Sequence, residues 1–351
     1  MERVSAEPLE HELDEPFEIS LGTREKARNL VVAVETDSVS LGHGEASRPR
    51  DVASAGSCRG DCSVGNVDAE GAPLADYREL VGEVRAAMPG AVSALFAVET
   101  ALLDAYCRDR GIPLSELFGG APTPVTTDIT VPIVTPDAAP SEPRAPQRGL
   151  RRHQVKTGGA IDDDVARTVA VADAAPDARS GGRESGLDAE GHRAFVDEVT
   201  AAGVDLALVE QPTPRTISAV SRGPATDSRS PSPRTRPFTP ADATAVVRDG
   251  AADVINVKLG KSGLLGAAAI AAIAEAASLD CMLGCMLEGA TGIATSAHLA
   301  AGLGAFDYVD LDGHLSFEEC PPSMSSGPRS ISTGRDTAVS PPAAVSQATE
   351  Y

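Results

Sequence analysis

The amino-acid sequence predicts an α/β fold built around a closed (β/α) barrel, and two observations support that prediction. After about residue 124, short apolar segments with strand character alternate with segments of helical period. This alternation predicts a parallel sheet, because each helix returns the chain to the same edge. Roughly eight such units over about 190 residues favour a closed barrel over an open sheet.

The strands and helices of the barrel can be assigned segment by segment. The strand-like segments are TDITVPIV, HQVKTG, LALVEQP, DVINVKLG, LDCMLGCML and FDYVDLDG. The helix-like segments between them are DDDVARTVAVADAA, DAEGHRAFVDEVTAAG, TPADATAVVRDG and GLLGAAAIAAIAEAAS. In such a barrel the polar residues at the strand ends fall on the C-terminal rim, where barrel enzymes carry their chemistry.

The chain before the barrel predicts strands followed by helices. FEISLG and NLVVAVETD have strand character and lead into SLGHGEAS, whose glycines indicate a tight turn. Residues 50–75 are rich in Gly, Ser and Asp and predict a loop. From Tyr77 to Gly120 the apolar residues recur with helical period, and Gly111-Ile112-Pro113 ends the main helix before a short second one.

The composition excludes several classes of protein. The chain has 351 residues with 51 acidic and 30 basic side chains, and its net charge of -21 argues against a general nucleic-acid binder. No apolar run approaches the ~18 residues of a membrane helix, and the acidic N-terminus lacks the apolar core of a signal peptide. A soluble cytoplasmic protein is therefore expected. Six Cys in a chain of this length do not indicate a disulfide scaffold.

The basic residues are almost all arginine. Four of the 30 basic residues are lysines, namely Lys26, Lys156, Lys258 and Lys261. An acidic surface with few lysines is typical of halophilic proteins, because salt screens the repulsion between like charges. A GC-rich gene that encodes Arg in place of Lys is the alternative explanation.

Four stretches do not fit the barrel pattern. Residues 136–152, 178–186 and 213–237, and the tail from Cys320 onward, are rich in Arg, Ser, Pro and Gly. Segments of this composition bury little apolar surface and predict irregular backbone. Out-of-frame translation of a GC-rich gene gives the same composition, so compensating frameshifts are a second interpretation.

Eight motifs occur in the order found in one known superfamily. They are VETALLDAYCRDRGIPLSELFGG, TDITVPI, HQVKTGG, LVEQP, FTPADA, INVKLGKSG, CMLGCMLEGATGI and DYVDLDG. With these motifs the chain resembles the enolase superfamily, its muconate-lactonizing branch and, within that branch, the dipeptide epimerases of the L-Ala-D/L-Glu type. The resemblance covers about residues 17–320. It implies a modified (β/α) TIM-like barrel at 123–319, an α+β N-terminal capping domain at 1–122, and a tail at 320–351 that returns to the cap.

The resemblance also implies a reaction that begins by removing the proton next to a carboxylate. In the epimerases two lysines face each other across the substrate carbon, and Lys156 and Lys258 match those catalytic positions. A lone lysine at a strand end is usually a solvated surface charge. Here, however, two of the chain's four lysines fall on the two catalytic positions of the family, which argues against that interpretation. Gln154 stands where the family has a further lysine that binds the substrate carboxylate, so we expect Lys156 to be a poorer base.

The expected cofactor is Mg²⁺, which the family holds with three carboxylates at three successive strand ends. Glu210 matches the second carboxylate. Arg183 lies near the position of the first, and Glu184 would replace that ligand after a one-residue shift. Arg234 stands at the third position and would repel the metal. A chain with this metal site is expected to be much less active than its family.

Further residues match the family's substrate-binding positions. Asp310 and Asp312 correspond to the Asp pair that binds the free ammonium of a dipeptide, and Thr130 corresponds to a substrate-contacting threonine. The segment after the seventh strand, which touches substrate through its backbone, corresponds to Cys285, Met286 and Leu287. Glu288 follows that segment and is a candidate for orienting the base. The Cys spacings do not fit zinc.

The sequence therefore predicts a Mg²⁺-dependent epimerase of dipeptides that uses two bases. A muconate cycloisomerase or an o-succinylbenzoate synthase-like enzyme is the first alternative, although neither of those substrates carries an ammonium for the Asp pair. A non-catalytic relative, or the product of a frameshift-damaged gene, is the second. The expected partner is a small-molecule dipeptide or carboxylate, with no nucleic acid and no membrane, and a homo-oligomer is compatible with the sequence.

Overall fold

The structure, a computed structural model, has the predicted α/β architecture of a capping domain and a barrel. It describes residues 1–19, 22–37, 41–47, 71–121, 123–141, 152–158, 160–175, 179–181, 189–210, 219–221, 238–318 and 330–331. The fold class predicted from the sequence is therefore confirmed.

In its described residues, the capping domain is a three-stranded antiparallel sheet with two α-helices. Its elements are β1 (Arg3–Ile19), β2 (Gly22–Glu35), β3 (Leu41–Ser47), α1 (Tyr77–Ala87) and α2 (Val92–Arg110). Gly44 allows α2 to pack directly on the sheet, because a Cβ at that position would lie 1.8 Å from the carbonyl oxygen of Ala97. Phe96 and Val32 are fully buried between the two layers.

The described part of the barrel contains eight strands arranged in chain order. They are β5 (Ile129–Val131), β6 (Arg152–Val155), β7 (Arg179–Gly181), β8 (Leu206–Glu210), β9 (Ala219–Ser221), β10 (Val254–Lys258), β11 (Asp280–Gly284) and β12 (Tyr308–Asp310). The barrel closes where the amide of Asp128, just before β5, donates to the carbonyl of Val309 in β12 at 2.7 Å.

One barrel strand departs from the all-parallel prediction. The strand β9 runs antiparallel to both β8 and β10, whereas the other described pairs of neighbours are parallel. It lies inside the Arg-, Ser- and Pro-rich stretch 213–237, which lacks the apolar run of a buried parallel strand. The rest of that stretch lies outside the described residues.

Helices cover the outside of the barrel between the strands. They are α3 (Ile161–Ala174), α4 (Ala189–Ala201), α5 (Pro240–Asp249), α6 (Leu259–Ser262), α7 (Leu264–Ala276) and α8 (Ala290–Leu303). A separate two-stranded sheet joins β4 (Val125–Thr126) to β13 (Ser330–Ile331). Within the described ranges, no helix is both long and apolar enough to cross a lipid bilayer.

The other irregular stretches are described only in part. A short 3₁₀ turn occupies Ala139–Ser141 within 136–152, and β7 lies within 178–186. Of the tail after Cys320, Ser330–Ile331 is described. The remaining residues of these stretches, and most of the predicted loop 50–75, lie outside the described residues.

The buried carboxylate of Glu99 connects the cap to the barrel. From α2 it accepts hydrogen bonds from the amides of Leu264 and Leu265, at the beginning of α7, and lies 3.3 Å from the guanidinium of Arg85. These amides have no partner within their own helix. Burial nevertheless dominates and raises the pKa of Glu99 to about 7.

This raised pKa predicts a pH-dependent stability. Because the pKa is higher in the folded protein, the contribution of Glu99 is fully present below about pH 4.5 and is lost as the pH rises towards 7. The free energy of unfolding should therefore fall between pH 4.5 and 8, and we expect Glu99→Gln to reduce that fall by up to about 3 kcal/mol. Denaturant unfolding between pH 4.5 and 8 measures it. Glu83→Gln, on the exposed side of α1, is the control. An unchanged pH profile in Glu99→Gln would contradict the assignment.

Candidate active site

Four strand ends bring the predicted functional residues to one rim of the barrel. Lys156 directly follows β6, Lys258 ends β10, Glu210 ends β8 and Asp310 ends β12. The two reversals around β9 cancel, so β10 runs in the same direction as β6 and β8. In a closed barrel of eight strands, strands four places apart lie opposite each other. The two lysines therefore lie on opposite sides of the mouth, and Glu210 lies opposite Asp310.

Lys156 is buried and held by its neighbour Gln154. The ammonium of Lys156 donates a hydrogen bond of 2.7 Å to Oε1 of Gln154. The same oxygen lies 3.4 Å from the hydroxyl of Thr130, which is aligned with Gln154 in the parallel register of β5 and β6. The glutamine thus keeps the lysine side chain directed towards the interior of the mouth.

Asp310 and Asp312 form a buried carboxyl pair beside Thr130. The amide of Thr130 donates to Oδ2 of Asp312 at 2.6 Å, and its hydroxyl lies 3.4 Å from an oxygen of each aspartate. Burial, reinforced by the charge of Asp312, raises the pKa of Asp310 to about 8. The ammonium groups of Lys156 and Lys258 both act in the opposite direction. Asp310 therefore lies within the electrostatic reach of both lysines.

Lys258 lies in one register row with Gly284 and Asp310 across β10, β11 and β12. Gly284 leaves space for the lysine side chain, because a Cβ there would lie 3.0 Å from Cε of Lys258 and 3.1 Å from Oδ1 of Asn256. A side chain at position 284 would therefore displace the lysine.

We expect Gly284→Ala to displace Cε of Lys258 by a few tenths of an ångström and, with Lys258 taken as a catalytic base, to lower kcat about tenfold, because misplacing a reacting group by about 1 Å can cost about 100-fold. Steady-state kinetics measures the effect. Gly266→Ala is the matched control, since a Cβ there would lie 3.8 Å from Cβ of Ser262, an ordinary contact. Equal losses in both variants would show that Gly284 has no specific role beside Lys258.

The loop after β11 closes the site against the cap. Oε2 of Glu288 accepts a hydrogen bond of 2.6 Å from the amide of Met286, which fixes the loop. Burial raises the pKa of Glu288 to about 7 and raises the pKa of the Cys285 thiol far above its ordinary value. Leu287 packs against Leu13 and Phe317 at the junction with the cap.

Sequence reasoning missed Glu45, which fixes the cap over this loop. The fully buried carboxylate of Glu45, in β3, accepts hydrogen bonds from the side chain of Asn29 at 2.7 Å and from the amide of Gly289 at 2.8 Å. Gly289 directly follows Glu288 in the barrel. The signal was an acidic residue within the short glycine-containing strand segment GHGEAS.

The described residues do not by themselves form a magnesium site. Within the described ranges, no group of three or more His, Cys, Asp or Glu residues is arranged to hold a metal ion. Glu210 is placed by its backbone at the end of β8, and its side chain is outside the description. Arg183, Glu184 and Arg234 also lie outside the described residues.

Two family models match the chain. Residues 3–119 match the model described as "Mandelate racemase / muconate lactonizing enzyme, N-terminal domain", and residues 141–322 match the model described as "Enolase C-terminal domain-like". The aromatic dipeptide epimerase of Herpetosiphon aurantiacus is 33% identical over 329 residues, which cover 92% of this chain and 92% of that protein.

Solved structures of dipeptide epimerases have the same fold. The substrate-liganded L-Ala-D/L-Glu epimerase from Bacillus subtilis matches with a TM-score of 0.84 at 26% identity, covering 95% of this chain and 96% of that one. The dipeptide epimerase from Enterococcus faecalis V583, complexed with Mg and the dipeptide L-Leu-L-Tyr, matches with a TM-score of 0.79 at 26% identity. That match covers 91% of this chain and 92% of the other.

Proposed function

Because this chain belongs to the mandelate racemase/muconate lactonizing enzyme family of the enolase superfamily, we propose that it epimerises dipeptides at the Cα of the C-terminal residue. The chain is an isomerase, since the relatives described above are epimerases. One observation supports the proposed chemistry most strongly. Two lysines, Lys156 just after β6 and Lys258 at the end of β10, lie at opposite strands of the same barrel mouth.

This arrangement suits the inversion of a carbon centre. A single fixed base returns a proton to the face from which it was removed unless the planar intermediate turns over, whereas two bases on opposite faces invert the centre directly. In the proposed mechanism one lysine removes the α-proton and the other delivers a proton from the opposite side. Each base must come within hydrogen-bond distance of the carbon-bound proton. Lys156 serves one face and Lys258 the other.

The buried pair of Asp310 and Asp312 provides the site for the substrate's ammonium. A buried carboxyl pair is stabilised by a cation that satisfies its oxygens. The amino terminus of a dipeptide supplies that cation, and its carboxylate end then extends across the mouth towards Glu210. Thr130 orients the Asp pair, Gln154 holds Lys156, and the loop containing Cys285, Met286 and Leu287 borders the substrate.

Mg²⁺ is the proposed cofactor, supported by the E. faecalis relative that was solved with Mg and a dipeptide. When bound, such a metal would supply positive charge beside a substrate carboxylate. Glu210, at the end of β8, and Glu184 are the proposed ligands. If metal is required, incubation with EDTA followed by dialysis abolishes epimerisation, and added Mg²⁺ restores it.

The alternative of a muconate cycloisomerase is less well supported by the site. Muconate carries two carboxylates and no ammonium, so it would bring negative charge to a pair of buried aspartates. A dipeptide places a positive charge there instead.

The test is to incubate the purified chain with Mg²⁺ and single dipeptides, including L-Ala-L-Glu and L-Leu-L-Tyr, and to separate the epimers by chiral chromatography. The proposal predicts the D-configured C-terminal residue in at least one reaction, and no reaction for the N-acetylated form of the same dipeptide. Equal turnover of the N-acetylated form would contradict the role of the Asp pair. Failure with a broad dipeptide set, at both low and molar salt, would contradict the function.

A further inference from the structure

A buried ion pair lies directly behind Lys156, on the outer side of β6. Asp164 and Arg167 are one helical turn apart near the beginning of α3, and their charged groups are 2.7 Å apart. The two side chains are 0% and 4% exposed, so the pair is withdrawn from water. Such a pair gains little net stability over well-packed apolar residues, because both charges must be desolvated. Its position therefore calls for an explanation.

The pair contacts the backbone that directly follows the Lys156 side chain. Nη1 of Arg167 lies 3.4 Å from the carbonyl oxygen of Lys156, and Oδ2 of Asp164 accepts a hydrogen bond of 3.0 Å from the amide of Gly158. Nε of Arg167 also donates to the carbonyl of Val134, beyond the end of β5. The pair thus fixes the short segment in which Lys156 leaves the strand.

A different contact holds the backbone at Lys258. This lysine is the last residue of β10 and directly precedes α6, and the hydroxyl of Ser262 donates to its carbonyl oxygen at 3.1 Å. The hydrogen bonds of Asp164 and Arg167 described above join α3 to the ends of β5 and β6, and β10 lies four strands away from β6. A change in the ion pair should therefore disturb one lysine and spare the other.

We propose that Asp164 and Arg167 are positioning residues for Lys156, and that they determine how well this face of the substrate is protonated and deprotonated. This inference rests on the proposed function in taking Lys156 as one of two bases. A proton transfer requires heavy atoms within about 3 Å, so loosening the backbone below the lysine reduces the rate without removing the base.

The kinetic test compares Arg167→Met, Arg167→Lys and Asp164→Asn. In Arg167→Met we expect the kcat of epimerisation to fall about 100-fold with KM changed less than about threefold. Arg167→Lys keeps the charge but not the fork of donors, and should recover only part of the loss. The control is Arg108→Met, which breaks the partly exposed ion pair with Asp104 inside the cap, where the two groups are 2.8 Å apart.

Exchange of the substrate α-proton with solvent distinguishes a positioning role from a general loss of structure. In deuterated water, the epimer whose α-proton faces Lys258 should still exchange that proton in Arg167→Met, without inversion. The other epimer should lose exchange and inversion together. An equal loss of exchange for both epimers, or an equal effect of Arg108→Met, would overturn the proposal.

A second measurement is independent of catalysis. With only four lysines in the chain, protein labelled with ¹⁵N and ¹³C at lysine gives four side-chain signals, which Lys→Arg variants assign. The proposal predicts that Arg167→Met shifts or broadens the Lys156 signal and leaves the Lys258 signal in place. If the parent chain epimerises no dipeptide, the proposed function fails while this measurement still tests the ion pair. An unchanged Lys156 signal in the folded variant overturns the inference.

Discussion

Replacing either mouth lysine by alanine is expected to reduce epimerisation by about 10³-fold or more, because a positioned acid or base commonly contributes 10²- to 10⁴-fold. Inversion needs a proton acceptor on one face and a proton donor on the other. Lys156→Ala and Lys258→Ala should therefore abolish inversion equally. They should differ in exchange, since each variant retains the base for one epimer. Chiral chromatography measures inversion, and NMR in deuterated water measures exchange.

Lys26 supplies the control for this prediction. It lies on the cap, where its exposed ammonium pairs with Glu12. Lys26→Ala removes the same kind of side chain without touching the mouth, and its rate should match that of the parent chain. If Lys156→Ala or Lys258→Ala retained inversion within tenfold of the parent, two-base chemistry by this lysine pair would be excluded.

Asp310→Asn is expected to raise KM for dipeptides by about 30-fold or more, because loss of one partner of a buried charge pair commonly costs 2 kcal/mol or more. The amide keeps the size of the side chain and removes its charge. The selectivity for a free amino terminus should fall as well, so an N-acetylated dipeptide should become a relatively better substrate. KM measured for the free and acetylated dipeptides decides this prediction.

Because the pKa of Asp310 is raised, we also expect the protein to release a proton when a dipeptide binds. In the free protein, burial and Asp312 hold a proton on the pair up to about pH 8. The stability gained from that raised pKa is present below about pH 4 and is lost as the pH rises through about 8. An arriving ammonium favours the ionised pair, so binding near pH 7 should release a proton. Calorimetry in buffers of different ionisation enthalpy measures the release of this proton. The same enthalpy of dipeptide binding in all buffers would contradict the prediction.

The barrel and its lysines were predictable because their signals are local. Lys156 directly follows the short strand β6 and Lys258 ends β10, and parallel strands of one barrel end at one rim. The reversed strand β9 was not predictable, because the stretch 213–237 has no hydrophobic period. The first strand was also missed over much of its length. Its acidic sequence resembles an exposed terminus, yet β1 pairs with β2 and places Leu13 in the core.

The contacts that hold the site together could not be derived from local sequence. Glu99 meets Leu264 across 165 positions of the chain, and Glu45 meets Gly289 across 244. No hydrophobic period or turn signal encodes such pairs. The ion pair of Asp164 and Arg167 has helical spacing, but that spacing is also common among exposed pairs on helix surfaces. Its burial beneath Lys156 is visible only in the folded chain.

The most direct test of the two-base account is the fate of the α-proton during the first turnovers. L-Ala-L-Glu, or the best dipeptide found, is incubated with the chain and Mg²⁺ in deuterated water, and both epimers are analysed by NMR while conversion is still small. The account predicts that the newly formed epimer carries deuterium at Cα, while the remaining starting epimer largely keeps its proton. A product that retains the original proton would mean that one group both removes and returns it, and would contradict the opposed roles of Lys156 and Lys258.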